Sequence, residues 1–288
     1  MFEGFRLDHA DVGEVTLRFR HGGAGSPVVL LHGHPRTHTT WFDVAPRLAR
    51  HHFVVTPDLR GYGGSTLPPD EPDHAQSSKR AMAGDVVRLM ARLGHDRFAV
   101  VGHDRGALVA FRTAVDHPEA VSHLVVMDGL PIVEQLERTD AAFAQAYWHW
   151  WFLAQTDKPA ERVISADPDA WYGTGDPAAM GHAQHADLRA AVHNPAVVHG
   201  MCEDYRAGLG VDRDHEEADR AAGRKIGCPT LLLEAAHDDL DLHGDPAAIW
   251  APWIAGALRH RVIDSGHHQA EEAPGPVAGE LLDFLSAT

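Results

Sequence analysis

Cysteine, positive charge and long apolar runs are all scarce in this sequence, and each shortage removes a class of function. Only Cys202 and Cys228 occur among 288 residues, so no disulfide framework stands in for a core, and packed, reduced thiols are the expectation. Lys and Arg number 25 against 41 Asp and Glu, a formal net charge of −16 with the histidines neutral. That balance lacks the basic footprint of a nucleic-acid partner. It also opposes an anionic ligand, which would have to be held by local cations against the field of the whole chain. No apolar run approaches the ~20 residues that span a bilayer. Met1-Phe2-Glu3-Gly4-Phe5-Arg6 is not the basic stretch and apolar core of a secretion signal, and a cytoplasmic protein with no membrane partner is expected. The 23 histidines are scattered, with no His-Glu-x-x-His and no paired Cys-x-x-Cys spacing, and no metal is expected.

What is present reads as one α/β unit. A length of 288 residues with 44% hydrophobic content supports a sizeable core. Residues 15–20 alternate apolar and polar as an edge strand does. Residues 28–31, 53–55, 98–101, 121–127 and 230–233 are short apolar runs of the kind found in buried strands, and residues 259–263 are expected to close the sheet. Helical patterns at 41–49, 77–93, 108–115, 247–255 and 276–285 lie between them. This alternation predicts a mostly parallel sheet covered on both faces. Residues 131–223 break the rhythm, being rich in Trp, Tyr, His and Ala without a strand-like run. They are expected to form a helical cap inserted after the sixth strand, leaving residues 1–130 and 224–288 as the core.

Gly102-His103-Asp104-Arg105-Gly106 follows the apolar run at 98–101 and precedes a helical stretch, which is the strand, sharp turn and helix of a nucleophile elbow. The turn carries no serine. Asp104 holds the nucleophile position, and a carboxylate displaces a leaving group from saturated carbon, leaving an ester that water must cleave. The reaction class moves from acyl transfer to carbon-halogen or epoxide opening. In an open parallel sheet the ligand crevice lies at the carboxyl ends of the strands, where Asp104, Asp128 and His267 each follow a strand-like run. Their order suits Asp104 as nucleophile, Asp128 as the acid that orients the imidazole, and His267 as the base that activates water. Asp238, in Ala236-His237-Asp238-Asp239, competes with Asp128 for the acid role, and His268 competes with His267. Gly266 favours His267, because a flexible residue lets the loop turn the ring inward.

Nearly the whole chain resembles the α/β-hydrolase superfamily, and within it the haloacetate dehalogenases. The superfamily blocks are His32-Gly33-His34-Pro35-Arg36-Thr37-His38 followed by Trp41, Asp58-Leu59-Arg60-Gly61-Tyr62-Gly63-Gly64-Ser65, and Ser265-Gly266-His267 followed by Glu271-Glu272-Ala273-Pro274. The resemblance continues through Gly102 to Ala107 and Met127-Asp128-Gly129-Leu130-Pro131. Two cap blocks are specific to the branch: Trp148-His149-Trp150-Trp151-Phe152-Leu153-Ala154-Gln155 and Met201-Cys202-Glu203-Asp204-Tyr205-Arg206-Ala207-Gly208.

The resemblance implies an eight-stranded, mostly parallel α/β-hydrolase sheet with an inserted helical cap, no cofactor, and a homodimer. It assigns Asp128 as the acid, with Asp238 its rival. It implies that Arg105 grips a substrate carboxylate and that the backbone N–H groups of Arg105 and His34 form an oxyanion hole. His149, Trp150 and Tyr205 match the family's halide-binding trio, each a rigid ring carrying an N–H or O–H donor, while Trp148 and Trp151 are expected to pack the cap on the core. Relatives usually read Asp-Arg-Gly-Ala-Arg at the elbow, but here Leu108 replaces the second arginine, removing half of the carboxylate clamp. The expected activity is hydrolytic dehalogenation of a small haloacid, with the halogenated substrate, water and a second copy of the chain as partners. The alternatives are an epoxide hydrolase, for which Tyr147, Tyr172 and Tyr205 are available as proton donors, and a dehalogenase for neutral organohalides, for which Leu108 adds apolar surface. A non-catalytic binding module fits less well, since nucleophile, acid and base are all present.

Overall fold

The computed structural model describes residues 2–173 and 177–286. Eight strands, β1 (Arg6–Asp11), β2 (Thr16–Gly23), β3 (Ser26–Leu31), β4 (His52–Pro57), β5 (Phe98–His103), β6 (Val121–Met127), β7 (Thr230–Ala235) and β8 (Leu258–Ile263), form one sheet in the order β1-β2-β4-β3-β5-β6-β7-β8. β2 pairs antiparallel with β1 and β4, and every other pairing is parallel. The central strands are apolar without alternation because both faces are covered. Phe98 and Val100 of β5 and Leu124 and Val126 of β6 enter one core cluster, whereas Ala99, Val101, Val125 and Met127 enter the other. The mostly parallel eight-stranded architecture read from the sequence is the observed one.

Between β6 and β7 the described residues form helices, from Ile132–Glu137 to Arg213–Ala221. Part of this region has its own small core, in which Trp150, Leu153, Ile164, Val198, Cys202 and Tyr205 pack together. Two expected site residues, Trp150 and Tyr205, are thus fixed by apolar packing. Both cysteines are free thiols, Cys202 buried and Cys228 half-buried. Among the described residues, no helix is long and apolar enough to cross a membrane.

Three local features differ from the sequence reading, the first being β1, which it did not anticipate. β1 carries no apolar stripe: its residues are half-buried or exposed, and Leu7 is itself exposed. It is held by its antiparallel ladder to β2 rather than by burial. The helices expected at 41–49 and 247–255 each break into a 3-10 turn and a short helix, namely His38–Trp41 with Ala45–Leu48, and Pro246–Trp250 with Ala251–Trp253. Pro46 and Pro252 are the second residues of the second segments, within the first turn, where a residue without an N–H is tolerated although it cannot continue a helix. Trp148 does not pack the cap on the core either. It is 52% exposed, with its ring tilted against Phe152 and edge-on to Trp171.

Candidate active site

Asp104 is the residue between β5 and the helix Arg105–Asp116, at φ 52°, ψ −120°, a backbone state that an L residue enters only when its surroundings enforce it. The neighbouring glycines make the turn possible. A Cβ on Gly102 would stand 2.0 Å from Gly106 O, and one on Gly33 would stand 2.1 Å from Asp104 Oδ1. The His34 N–H donates to Asp104 Oδ1 at 2.6 Å. Burial opposes the charge on Asp104, but the His267 and His103 rings and the Arg105 backbone N–H outweigh it and hold the carboxyl below its ordinary range. Both amides expected to form an oxyanion hole therefore bear on this carboxylate. One carboxylate oxygen is held, and the other, Oδ2, lies 3.8 Å from His267 Nε2.

His267 lies in the loop after β8, its backbone oxygen within 2.6 Å of His103 Nε2. Its Nδ1 is 2.7 Å from Asp238 Oδ2 and 3.9 Å from Asp128 Oδ2. The acid that hydrogen-bonds the imidazole is thus Asp238, and not Asp128 as the resemblance implied. The reason is local. Asp128, at φ 42°, turns Oδ1 onto the Ala235 N–H at 2.8 Å, while Oδ2 is buried without a hydrogen bond. Burial pushes the Asp128 carboxyl up to about 7. Asp238 comes from the loop after β7. Burial disfavours the charged His267, yet the bond to Asp238 and the charge of Asp104 prevail and raise the ring to about 9. Gly266 serves differently from the expectation: its φ is not positive, and its N–H donates to Glu272 Oε2 at 2.6 Å. His268 points Nδ1 into a buried position without a hydrogen bond, and burial lowers its affinity for a proton.

Two cavities meet at Asp104. The outer one, about 230 Å³, is lined by His34, Tyr147, His149, Trp150, Tyr205 and His267, among others. The inner slot includes Arg105, Leu108, Gln135, Trp150 and Leu240. The expected halide trio therefore shares one wall, with the Tyr205 ring 6.0 Å from His149 and 6.1 Å from Trp150, centroid to centroid. Burial lowers His149 to about 4, so its ring is neutral at pH 7 and presents one N–H. Tyr147 lines both cavities. Tyr172 lines neither, and its hydroxyl lies 3.3 Å from Met201 Sδ.

Arg105 is buried, stacks over Tyr205 at 4.3 Å and Trp150 at 5.5 Å, and bonds Asp204. Sequence reasoning missed this acid. Asp204 lies within a motif read for its neighbour Tyr205, but the spacing of 99 residues to Arg105 leaves no local signal. Groups able to ligate a metal meet at His103, His267 and His268, and at Asp128, Asp238 and His267. In both, His267 is already engaged by Asp238.

Residues 26–274 match the alpha/beta hydrolase fold family. The chain is 42% identical to a fluoroacetate dehalogenase from Burkholderia sp over 99% of its own length and 95% of the relative's. It is 28% identical to a soluble epoxide hydrolase from Corynebacterium sp. (strain C12) over 99% and 96% of the two chains. Among solved structures, a provisionally assigned alpha/beta hydrolase from Nostoc sp PCC 7120 superposes with a TM-score of 0.96 at 38% identity, covering 100% of both chains. The chain belongs to the alpha/beta hydrolase fold family, in its haloacetate dehalogenase branch.

Proposed function

We propose that this chain hydrolyses the carbon-halogen bond of a small haloacetate-like acid through an ester on Asp104. The observation that carries the reading is the division of labour on Asp104, with Oδ1 held by the His34 N–H and Oδ2 left toward His267. An Oδ2 lone pair forms the new C–O bond as the C–X bond breaks, and the halide departs toward the donors of His149, Trp150 and Tyr205. Water then attacks Cγ of the ester, giving its proton to His267 Nε2, and the negative charge develops on Oδ1, to which the His34 N–H already donates. Collapse of that intermediate breaks the Cγ–Oδ2 bond as His267 Nε2 returns a proton to Oδ2, which leaves as the hydroxyl of the hydroxy acid, and the new Asp104 carboxyl loses its proton to solvent and is restored.

The charges fit this order. While Asp104 is ionised it helps keep a proton on His267, and esterification removes that charge, lowering the ring's affinity for a proton when a base is required. Asp238 takes the orienting role because it makes the hydrogen bond. Arg105 is the carboxylate anchor, and the Burkholderia relative's activity supports the haloacetate class. Pairing into a homodimer belongs to the same reading, and the mass in solution checks it.

An epoxide hydrolase is the second reading. Tyr147 and Tyr205 both line the cavity beside Asp104, as donors to an opening epoxide oxygen would, and the Corynebacterium relative carries that name. Halide release from fluoroacetate and chloroacetate, with Asp104→Asn as control, separates the two. Release by the native protein, abolished in the variant, with one ¹⁸O atom from labelled water entering Asp104 in a single turnover, is the expected result. Diol formation from an epoxide without halide release from either acid reverses the assignment.

A further inference from the structure

With leucine at 108, Arg105 is the one arginine or lysine among the described residues lining the inner slot. Its charge is not free. Arg105 Nε donates to Asp204 Oδ2 at 3.1 Å, and Nη2 donates to Asp204 Oδ1 at 3.0 Å and to Asp204 O at 2.8 Å. Taken alone, this pair is neutral, and a neutral pair holds a substrate anion poorly.

Behind Asp204 stands a second cation. Lys79, at the start of the helix Lys79–Arg92, is 2% exposed, and its ammonium bonds Asp204 Oδ1. The Tyr62 hydroxyl donates to Asp204 Oδ2 at 2.7 Å. A lysine is rarely buried so fully, because desolvation must be offset by close opposite charge. Here that charge is Asp204, the carboxylate Arg105 also uses. The nearest other acid, Asp212, accepts the Lys79 backbone N–H through Oδ1 at 2.8 Å. Its Oδ2 makes no hydrogen bond and lies 3.7 Å from Nζ.

We propose that Lys79 is a positioning residue that satisfies Asp204 from behind and so leaves Arg105 electropositive toward the slot, making up in part for the arginine absent at 108. The inference rests on the proposed anionic substrate and names the source of its selectivity. With Lys79 in place the two cations balance Asp204 and Asp212, and Arg105 is the charge nearest the slot; without Lys79, Arg105 would face both buried carboxylates alone and the cluster would turn net negative behind the substrate. The charge acts through Arg105 and does not touch the substrate.

A structural role for Lys79 would affect every ligand alike, whereas this role discriminates by charge. The test measures KM for chloroacetate and for neutral 2-chloroacetamide, together with binding of unreactive acetate by calorimetry. Lys79→Met is expected to weaken acetate binding and raise KM for chloroacetate by about tenfold, a change on the scale of one remote unit charge, without a comparable change for the amide. Lys79→Arg restores the difference. Asp212→Asn retains the oxygen that accepts the Lys79 N–H, removes the competing charge, and is expected to tighten acetate binding severalfold. Equal effects of Lys79→Met on acid and amide, or no tightening in Asp212→Asn, overturn the proposal, and the second variant decides if the first does not fold. Failure of the dehalogenase reading shows separately, as native protein that binds acetate but releases no halide.

Discussion

His267 stands between two carboxylates of opposite character, one hydrogen-bonded to it and the other buried and bent toward an amide. Asp238→Asn removes the charge that stabilises the imidazolium and lets an amide N–H face Nδ1 in the wrong tautomer, so kcat is expected to fall by about 100-fold or more. The pH profile adds a second readout. Water activation needs neutral His267, so kcat rises with pH through the ring's pKa in the ester state, and Asp238 is among the groups raising that pKa. Neutralising it moves the acid limb to lower pH even as the plateau drops. Asp128→Asn keeps an oxygen for the Ala235 N–H and should shift the limb less. If Asp128→Asn is the more damaging variant, the geometry read here has the acids in the wrong roles. At this scale the sequence named both acids but could not choose between them. Each follows a strand end, and the choice depends on a backbone turn at Asp128 and a loop approach at Asp238 that no local pattern encodes.

The elbow was legible as an element because its constraints are local. An apolar strand, glycines on both sides and a helical run leave few alternatives, and the positive φ at Asp104 follows from them. Gly102→Ala tests the constraint. Its Cβ would meet the backbone oxygen of Gly106 at 2.0 Å, and since backbone cannot step aside as a side chain can, the expected cost is about 3 kcal/mol of folding stability, read from denaturant midpoints. Unchanged stability would mean that the turn has slack. β1 was missed for the converse reason. Its partner is a neighbouring strand and its faces are wet, so hydrogen bonding defines it without hydrophobic periodicity. Helices at 41–49 and 247–255 were read as continuous, since apolar spacing runs on through the prolines that interrupt them.

Over the whole molecule, what lay beyond the sequence is what joins cap to core. Asp204 meets Arg105 across 99 residues and Lys79 across 125, and neither contact follows from the motifs that hold these residues. The same scale sets the approach of substrate. A net charge of −16, with Asp238 and Asp239 among the residues lining the outer cavity, surrounds the site with a field that repels an anion, while the Arg105 cluster that attracts it is buried. Salt weakens these forces unequally. The Debye length falls from ~30 Å at 0.01 M to ~10 Å at 0.1 M, and exposed charges are screened far more than buried ones. Raising a halide-free salt across that range should therefore remove more repulsion than attraction, so kcat/KM for chloroacetate is expected to rise severalfold while that for 2-chloroacetamide stays flat. A fall for the acid would mean that long-range attraction governs capture, placing the effective positive charge at the surface rather than at Arg105 and Lys79.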